Sequence, residues 1–174
     1  SYDSFNNVII DYEFILEFHT VPIAVTANNL LQCDDDNDGF WNFDLSINDA
    51  IILDAQGPGQ FSVTYYESQA NADSGSSALS IPYTNTSNPQ TIYARIENND
   101  NTDCYDTISF TIELFETPTA IAANNLLQCD DNNDGIFIFD LSVNDVLILG
   151  SQDASQFSIT YHDSQANADL GSGA

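Results

Sequence analysis

Short runs in which apolar and polar residues alternate recur along the chain, and a period of two marks a half-buried strand. Trp41, Phe43 and Leu45 alternate with Phe40, Asn42 and Asp44, and Phe61, Val63 and Tyr65 alternate with Ser62, Thr64 and Tyr66. Ile92, Ala94 and Ile96 interleave with Tyr93 and Arg95, and the longest run sets Ile108, Phe110, Ile112 and Leu114 against Ser109, Thr111 and Glu113. Each run predicts a strand with one dry face and one wet face. Turn formers separate them: Gly57-Pro58-Gly59, Asp73-Ser74-Gly75, Asn88-Pro89 and Asn98-Asn99-Asp100-Asn101. One stretch breaks the pattern. Ser46 followed by Asp49 has the spacing of a capping box, and residues 47–55 carry apolar side chains at helical spacing, which predicts one short helix between two strands.

The whole pattern occurs more than once. "PIAVTANNLLQCDDDNDGFWNFDLSINDA" from Pro22 returns as "PTAIAANNLLQCDDNNDGIFIFDLSVNDV" from Pro118, and "QFSVTYYESQANAD" at Gln60 returns at Gln156, so the period is 96 residues without a gap. "YEFILEF" at Tyr12 falls on "ISFTIEL" at Ile108 in the same register. The expected organisation is therefore the C-terminal strand of a preceding repeat in residues 1–20, a complete repeat in 21–116 and the N-terminal part of a following repeat in 117–174. A repeat of this length is a domain with its own core. Many short strands with Gly, Asn and Pro turns predict an all-β fold of tandem immunoglobulin-like β-sandwich domains, each with one short helix.

Charge narrows the function. Against 27 acidic side chains stands one basic residue, Arg95, for a formal charge of −26. Nucleic-acid binding needs Lys and Arg to displace counterions, and an anionic membrane surface repels this chain for the same reason. No apolar run reaches the roughly 20 residues that span a bilayer, so no membrane insertion is expected. Residues 1–20 carry no basic start or cleavage pattern of a signal peptide, which suggests a mature or excised piece. Carboxylates so numerous destabilise a compact state unless salt or bound cations neutralise them.

The sharpest motif answers that need. "CDDDNDGFWNFD" and its copy "CDDNNDGIFIFD" place oxygen donors at alternate positions, Asp34, Asp36 and Asp38 in one and Asp130, Asn132 and Asp134 in the other. Such spacing in a tight loop converges on a hard divalent cation. Gly39 and Gly135 stand at the sixth position, where calcium loops turn sharply, and the seventh residue, Phe40 or Ile136, would offer its backbone carbonyl. The twelfth position departs from a calcium hand, being Leu45 or Leu141, so Asp44 and Asp140 are expected to close the site instead. Calcium fits better than magnesium, which demands stricter octahedral geometry. The alternative is a solvated acidic turn.

The remaining chemistry is sparse. Cys33 and Cys104 fall within the complete repeat, and the counterpart of Cys104 for Cys129 would lie at position 200. A Cys33–Cys104 disulfide would tie the first strand to the last and place the protein in an oxidising compartment; two buried free thiols are the alternative. The histidines do not recur: His19 aligns with Phe115 and His162 with Tyr66. A repeat-borne catalytic group should appear in both copies, so no enzymatic activity is expected. Tyr66, Tyr93 and Phe115 fall on the outward parity of their strands, where they either stack on sugars or pack at junctions and across strands. Asn85-Thr86-Ser87 fits an N-glycan sequon.

"LLQCDDDNDGFWNFDLS", "TYYESQANAD", "PYTNTSNPQTIYARIEN" and "DCYDTISFTIEL", in that order, resemble the tandem repeats of very large cell-surface adhesins of Bacteroidota, especially flavobacteria. Those proteins are exported by the type IX secretion system and include the adhesins of gliding motility. The resemblance implies an extracellular, cell-surface segment with calcium at the acidic loop, bridged cysteines and an O-glycosylation motif at Asp106-Thr107-Ile108 that makes Thr107 a glycan candidate. The expected function is structural and adhesive, a calcium-stiffened stalk or filament. Its partners would be neighbouring repeats, other copies in a filament, and surface glycans or other cells. Two alternatives stand beside it: a carbohydrate-binding module array, and a filament subunit that assembles by donating the strand in residues 12–18 to a neighbouring chain.

Overall fold

The computed structural model describes residues 16–174; the segment 12–18, whose pairing would decide strand donation, lies largely outside them. The protein is mostly β, with a curled sheet and a few short helices, 25% strand and 19% helix. It divides into two compact units, Ser1–Phe115 and Glu116–Ala174.

Among the described residues, unit 1 has six strands: β1 Leu30–Asp34, β2 Asn42–Phe43, β3 Phe61–Tyr66, β4 Tyr83–Thr84, β5 Gln90–Asn98 and β6 Asn101–Glu116. Four form one sheet in the order β1-β6-β5-β3, while β2 and β4 pair separately. β5 is antiparallel to both neighbours, with Tyr66 opposite Tyr93 and Ile92 opposite Phe110, and the register shifts at Glu97/Asn98 next to the turn into β6. The alternation read from the sequence appears here as burial. Ile92, Ala94, Ile96, Phe110, Ile112 and Leu114 face a core that also takes Phe43, Tyr83, Leu45 and Ile52. Removing these side chains from water is the main force holding the unit together.

The edge strand β1 is fixed by side chains as well as by its ladder. The Ala24 amide donates to the Asp106 carboxylate at 2.9 Å and the Thr111 amide donates to the Asn29 side chain at 2.9 Å, each pair 82 residues apart. Residues 24–29 therefore advance alongside 106–111 in the same direction.

The predicted strand through Trp41, Phe43 and Leu45 is cut to two residues. Asp44 accepts the Ser46 amide at 3.0 Å and the Ser46 hydroxyl at 2.5 Å, which starts a 3-10 turn over Leu45–Asn48 that runs into helix α1, Asp49–Leu53. The helix entry thus lies at Asp44, ahead of the Ser46–Asp49 box.

A second helix, α2 Gln69–Ser74, stands where the sequence suggested only a turn. Ser68 caps its start and Gly75, at φ 65°, closes its end in the left-handed conformation. α2 packs on the outward face of β3 and β5. Arg95 fixes it there. Only 4% exposed, the guanidinium donates to the Ala72 and Asp73 carbonyls at 2.9 Å, to the Thr102 carbonyl at 2.5 Å and to Glu97 at 2.7 Å, and it stacks 3.6 Å from the centre of the Tyr105 ring. The chain's one strong cation is spent on the end of a helix, where carbonyls concentrate negative potential.

Unit 2 repeats the first part of this scheme in α3 Asp145–Leu149 and α4 Gln165–Leu170. Its hydrogen bonds fall 96 residues on: Gln152 brackets Thr119 as Gln56 brackets Ile23, and Asn144 brackets Asn124 as Asn48 brackets Asn28. Positions 96 beyond β4, β5 and β6 lie past residue 174, and the side chains those strands cover in unit 1 are open in unit 2: Leu45 is 0% exposed, Leu141 43%.

Two expectations follow. Burial, reinforced by the Asp49 carboxylate 2.6 Å away, raises the pKa of the Tyr65 phenol, and the Asp145 hydrogen bond together with desolvation pushes Tyr161 up to about 12. A raised phenol pKa stabilises the fold below the unfolded value of about 10 and loses that contribution as pH rises above it. Chemical unfolding at successive pH values should show unit 1 weakening above about pH 10, and Tyr65→Phe should shrink that alkaline loss. Separately, Arg95→Lys cannot reach three carbonyls and a carboxylate at once, and urea unfolding should register a loss on the order of 2–4 kcal/mol.

Candidate metal centre

The acidic loop leaves the end of β1 and enters β2. Strand alternation turns Asp34 inward, so that its carboxylate is 3% exposed while its neighbour Cys33 is exposed. The chain then reverses through two left-handed residues, Asn37 at φ 56° and Gly39 at φ 83°. Glycine was expected at the second of these. Asn37 was not singled out, although Asn is among the few side chains that tolerate this region.

The reversal brings carboxylate oxygens of Asp34, Asp36 and Asp38 within 4.8 Å of one another, the one cluster of three acidic, His or Cys side chains among the described residues. Backbone amides brace it from outside: Gly39 donates to Asp34 Oδ2 at 2.7 Å, Asp38 to Asp36 at 3.3 Å and Phe40 to Asp38 at 2.8 Å. The other oxygen, Asp34 Oδ1, is buried without a hydrogen-bond partner. Asp36 lies beside it, and a side-chain hydrogen bond with Asp34 is among the causes that raise the Asp36 pKa. The Asp38 amide draws the Asp36 pKa down; desolvation and the Asp38 and Asp34 charges outweigh it, and the net shift is upward.

The second copy is braced alike except at one atom: the Asn133 amide donates to Asp130 Oδ1 at 2.8 Å, so the oxygen equivalent to Asp34 Oδ1 has a donor there. Gly135, at φ 80°, donates to Asp130 at 2.7 Å, Asp134 to Asn132 at 3.2 Å and Ile136 to Asp134 at 2.8 Å. Here the Asn132 amide also donates to Asp134 at 2.9 Å, an internal neutralisation that Asp36 cannot supply.

The fold corrects the expected closing ligands. Asp44 and Asp140 stand outside the cluster because each caps a 3-10 turn, Asp140 through Ser142 as Asp44 does through Ser46. Phe40 and Ile136 expose their side chains, which leaves only their backbone for the loop. What the sequence reading missed is Asn85. Buried beside the loop exit, it donates to the Gly39 carbonyl at 2.8 Å and accepts from the Trp41 amide at 2.7 Å, so the loop is clamped from β4. The same bonds consume the Asn85 amide and turn it inward, away from any glycan. Recognition in sequence would have required knowing that β4 pairs with β2.

Other expectations meet the geometry as follows. Tyr66 is 2% exposed, its hydroxyl 3.0 Å from that of Thr64, because α2 covers the face that parity alone marks as outward. Tyr93 is half-buried and Phe115 is exposed. Thr107 is half-buried and its hydroxyl accepts from Gln69 at 2.9 Å. The Cys33–Cys104 bridge does not form. Cys33, Cys104 and Cys129 are all free thiols. Carried forward along β1 and β6, the 82-residue offset of the Ala24–Asp106 and Asn29–Thr111 bonds puts Cys33 level with Phe115, eleven residues from Cys104. Along a strand, the eleven residues from 104 to 115 span about 36 Å. A disulfide needs Cα atoms within about 7 Å.

No curated protein and no solved structure matches the chain. A family model does, twice, over residues 29–118 and 125–174, and its description is the Flavobacterium inter-domain disulphide bond domain. Those two segments take in most of the sequence and both acidic loops, and on that evidence the chain belongs to the Flavobacterium inter-domain disulphide bond domain family.

Proposed function

We propose that the protein is a structural and adhesive segment of a large extracellular repeat protein, a string of immunoglobulin-like β-sandwich domains stiffened by calcium at each acidic loop. The observation that carries this reading is Asp34 Oδ1. A carboxylate oxygen buried without a donor costs several kcal/mol unless a cation meets it, and Asp36 and Asp38 aim further oxygens at the same point. All donors are hard oxygens, the set that calcium takes, with the Phe40 carbonyl and water available to complete its shell. Asn132 in place of Asp36 gives the second loop one charge fewer and weaker binding.

A metal at this loop joins β1 to β2 and, through Asn85, to β4. It ties one edge of the large sheet to the small sheet and so resists shear between them. The family's description adds covalent links between domains, which suit an oxidising, extracellular setting. Repeats held by both devices would space an adhesive tip from a flavobacterial surface or build a filament. Export by the type IX system belongs to the same proposal.

Calcium bound only by the folded state stabilises by mass action, about 2.7 kcal/mol at one hundred times its dissociation constant. Thermal melting of the chain in millimolar calcium should therefore lie several degrees above melting in chelator. Asp36→Ala with Asp38→Ala, both exposed positions, should fold and lose most of that difference for unit 1. Identical melting with calcium and with chelator would remove the metal from the account.

A further inference from the structure

Between β1 and β2, unit 1 opens a cleft of about 520 Å³, walled by residues 28–32 on and ahead of β1, by residues 41–44 around β2, and by the 3-10 turn and α1. That volume suits a small-ligand site. Five of its twelve lining side chains are carboxamides and one, Asp44, is charged, so in a chain with 27 acidic residues the cleft offers hydrogen bonds rather than charge. The Asp44 carboxylate is already engaged by Ser46. Two carboxamides serve the fold: Asn48 brackets the Asn28 backbone, and Asn29 accepts the Thr111 amide. The others stay available. Asn42 accepts the Thr84 hydroxyl and keeps its NH2 group, while the side chains of Asn28 and Gln32 and the Trp41 indole N–H have no hydrogen-bond partner among the described residues. None of these is a buried orphan, so each meets solvent. Beside them Leu31 and Ile47 expose apolar surface.

The set recurs 96 residues on. Asn124, Leu127 and Gln128 repeat Asn28, Leu31 and Gln32, Val143 stands for Ile47, and Phe137 keeps a ring at the Trp41 position; Asn42 alone changes class, to Ile138. Exposed positions elsewhere drift between the copies, as Asp54 does to Gly150, Gly57 to Asp153 and Ser74 to Leu170. Accessible side chains that hold their chemistry through such drift are under a demand that the fold itself does not make.

We propose that this cleft binds a neutral glycan chain. A pyranose ring carries both complements of the lining: hydroxyls that donate and accept, as the amides of Asn28, Gln32 and Asn42 do, and C–H faces that pack on Trp41, Leu31 and Ile47. Acidic sugars are repelled, because Asp44 stands in the wall, the Asp34–Asp38 loop joins both walls, and the one Arg is buried under α2. The site does not use the outward row of β3 and β5, where Tyr66 is buried. It makes the repeat itself a binder as well as a spacer, and it stands without the metal.

Trp41 is the chain's one tryptophan, so its emission reports on this cleft alone. Titration with hexasaccharides of glucose, mannose, xylose and N-acetylglucosamine should shift that emission saturably for at least one of them, while oligogalacturonate leaves it unchanged. Gln32→Ala and Asn28→Ala each remove a side chain without a hydrogen bond in the fold; both should keep the melting temperature and weaken binding about tenfold. Binding that neither variant weakens would place the sugar elsewhere and overturn the proposal. So would unchanged Trp41 emission and no calorimetric heat with all four sugars. Equal binding of oligogalacturonate would overturn the neutral assignment.

Discussion

Uncompensated negative charge is the constraint around which this protein is organised. With 27 carboxylates and a single Arg, side-chain pairing cannot neutralise the surface, and the fold places even that Arg against the carbonyls that end α2. Carboxylates must therefore find partners of other kinds. Many take backbone amides, as Asp44, Asp106 and Asp140 do in starting turns and fastening the edge strand. Asp34 goes further, since burial removes water from one oxygen and no donor replaces it. In the proposed reading its partner is a cation from solution, and a surface of this sign concentrates such ions around itself.

The placement of that residue joins two otherwise separate properties. Because β1 follows β6 in the same direction at a fixed offset, its last residues reach the end of the repeat where the chain moves on. Alternation along one strand then gives Asp34 to the interior and Cys33 to the exterior. The acidic loop lies at the inside of the domain end, and the thiol is exposed on its outside.

Much of this was legible before the fold. β3, β5 and β6 show as alternation because one face of each meets the core, and the loop donors show because two copies retain their oxygens while Asn42 and Ile138 differ. The failures have two causes, a local cap or helix that alternation does not register and partners distant in sequence. Tyr66 is outward by parity and buried by α2. Asp44 has the composition of a ligand and the position of a cap, a difference decided by Ser46. The Cys33–Cys104 pairing assumed that the first and last strands meet at their nearest cysteines, whereas their register separates those residues by most of a strand. Asn85 reads as a glycan sequon and is instead a buried clamp. α2 alone had a local signature, Ser68 and Gly75 bracketing six residues that favour neither strand nor turn.

The central claim concerns one oxygen atom and can be addressed directly by diffraction from crystals grown in calcium, with anomalous data to identify the ion. The account predicts an anomalous peak at about 2.3–2.6 Å from Asp34 Oδ1, bounded by Asp36 and Asp38. A fully occupied water donating to that oxygen, with no anomalous signal and with Asp36 and Asp38 turned outward, would contradict it.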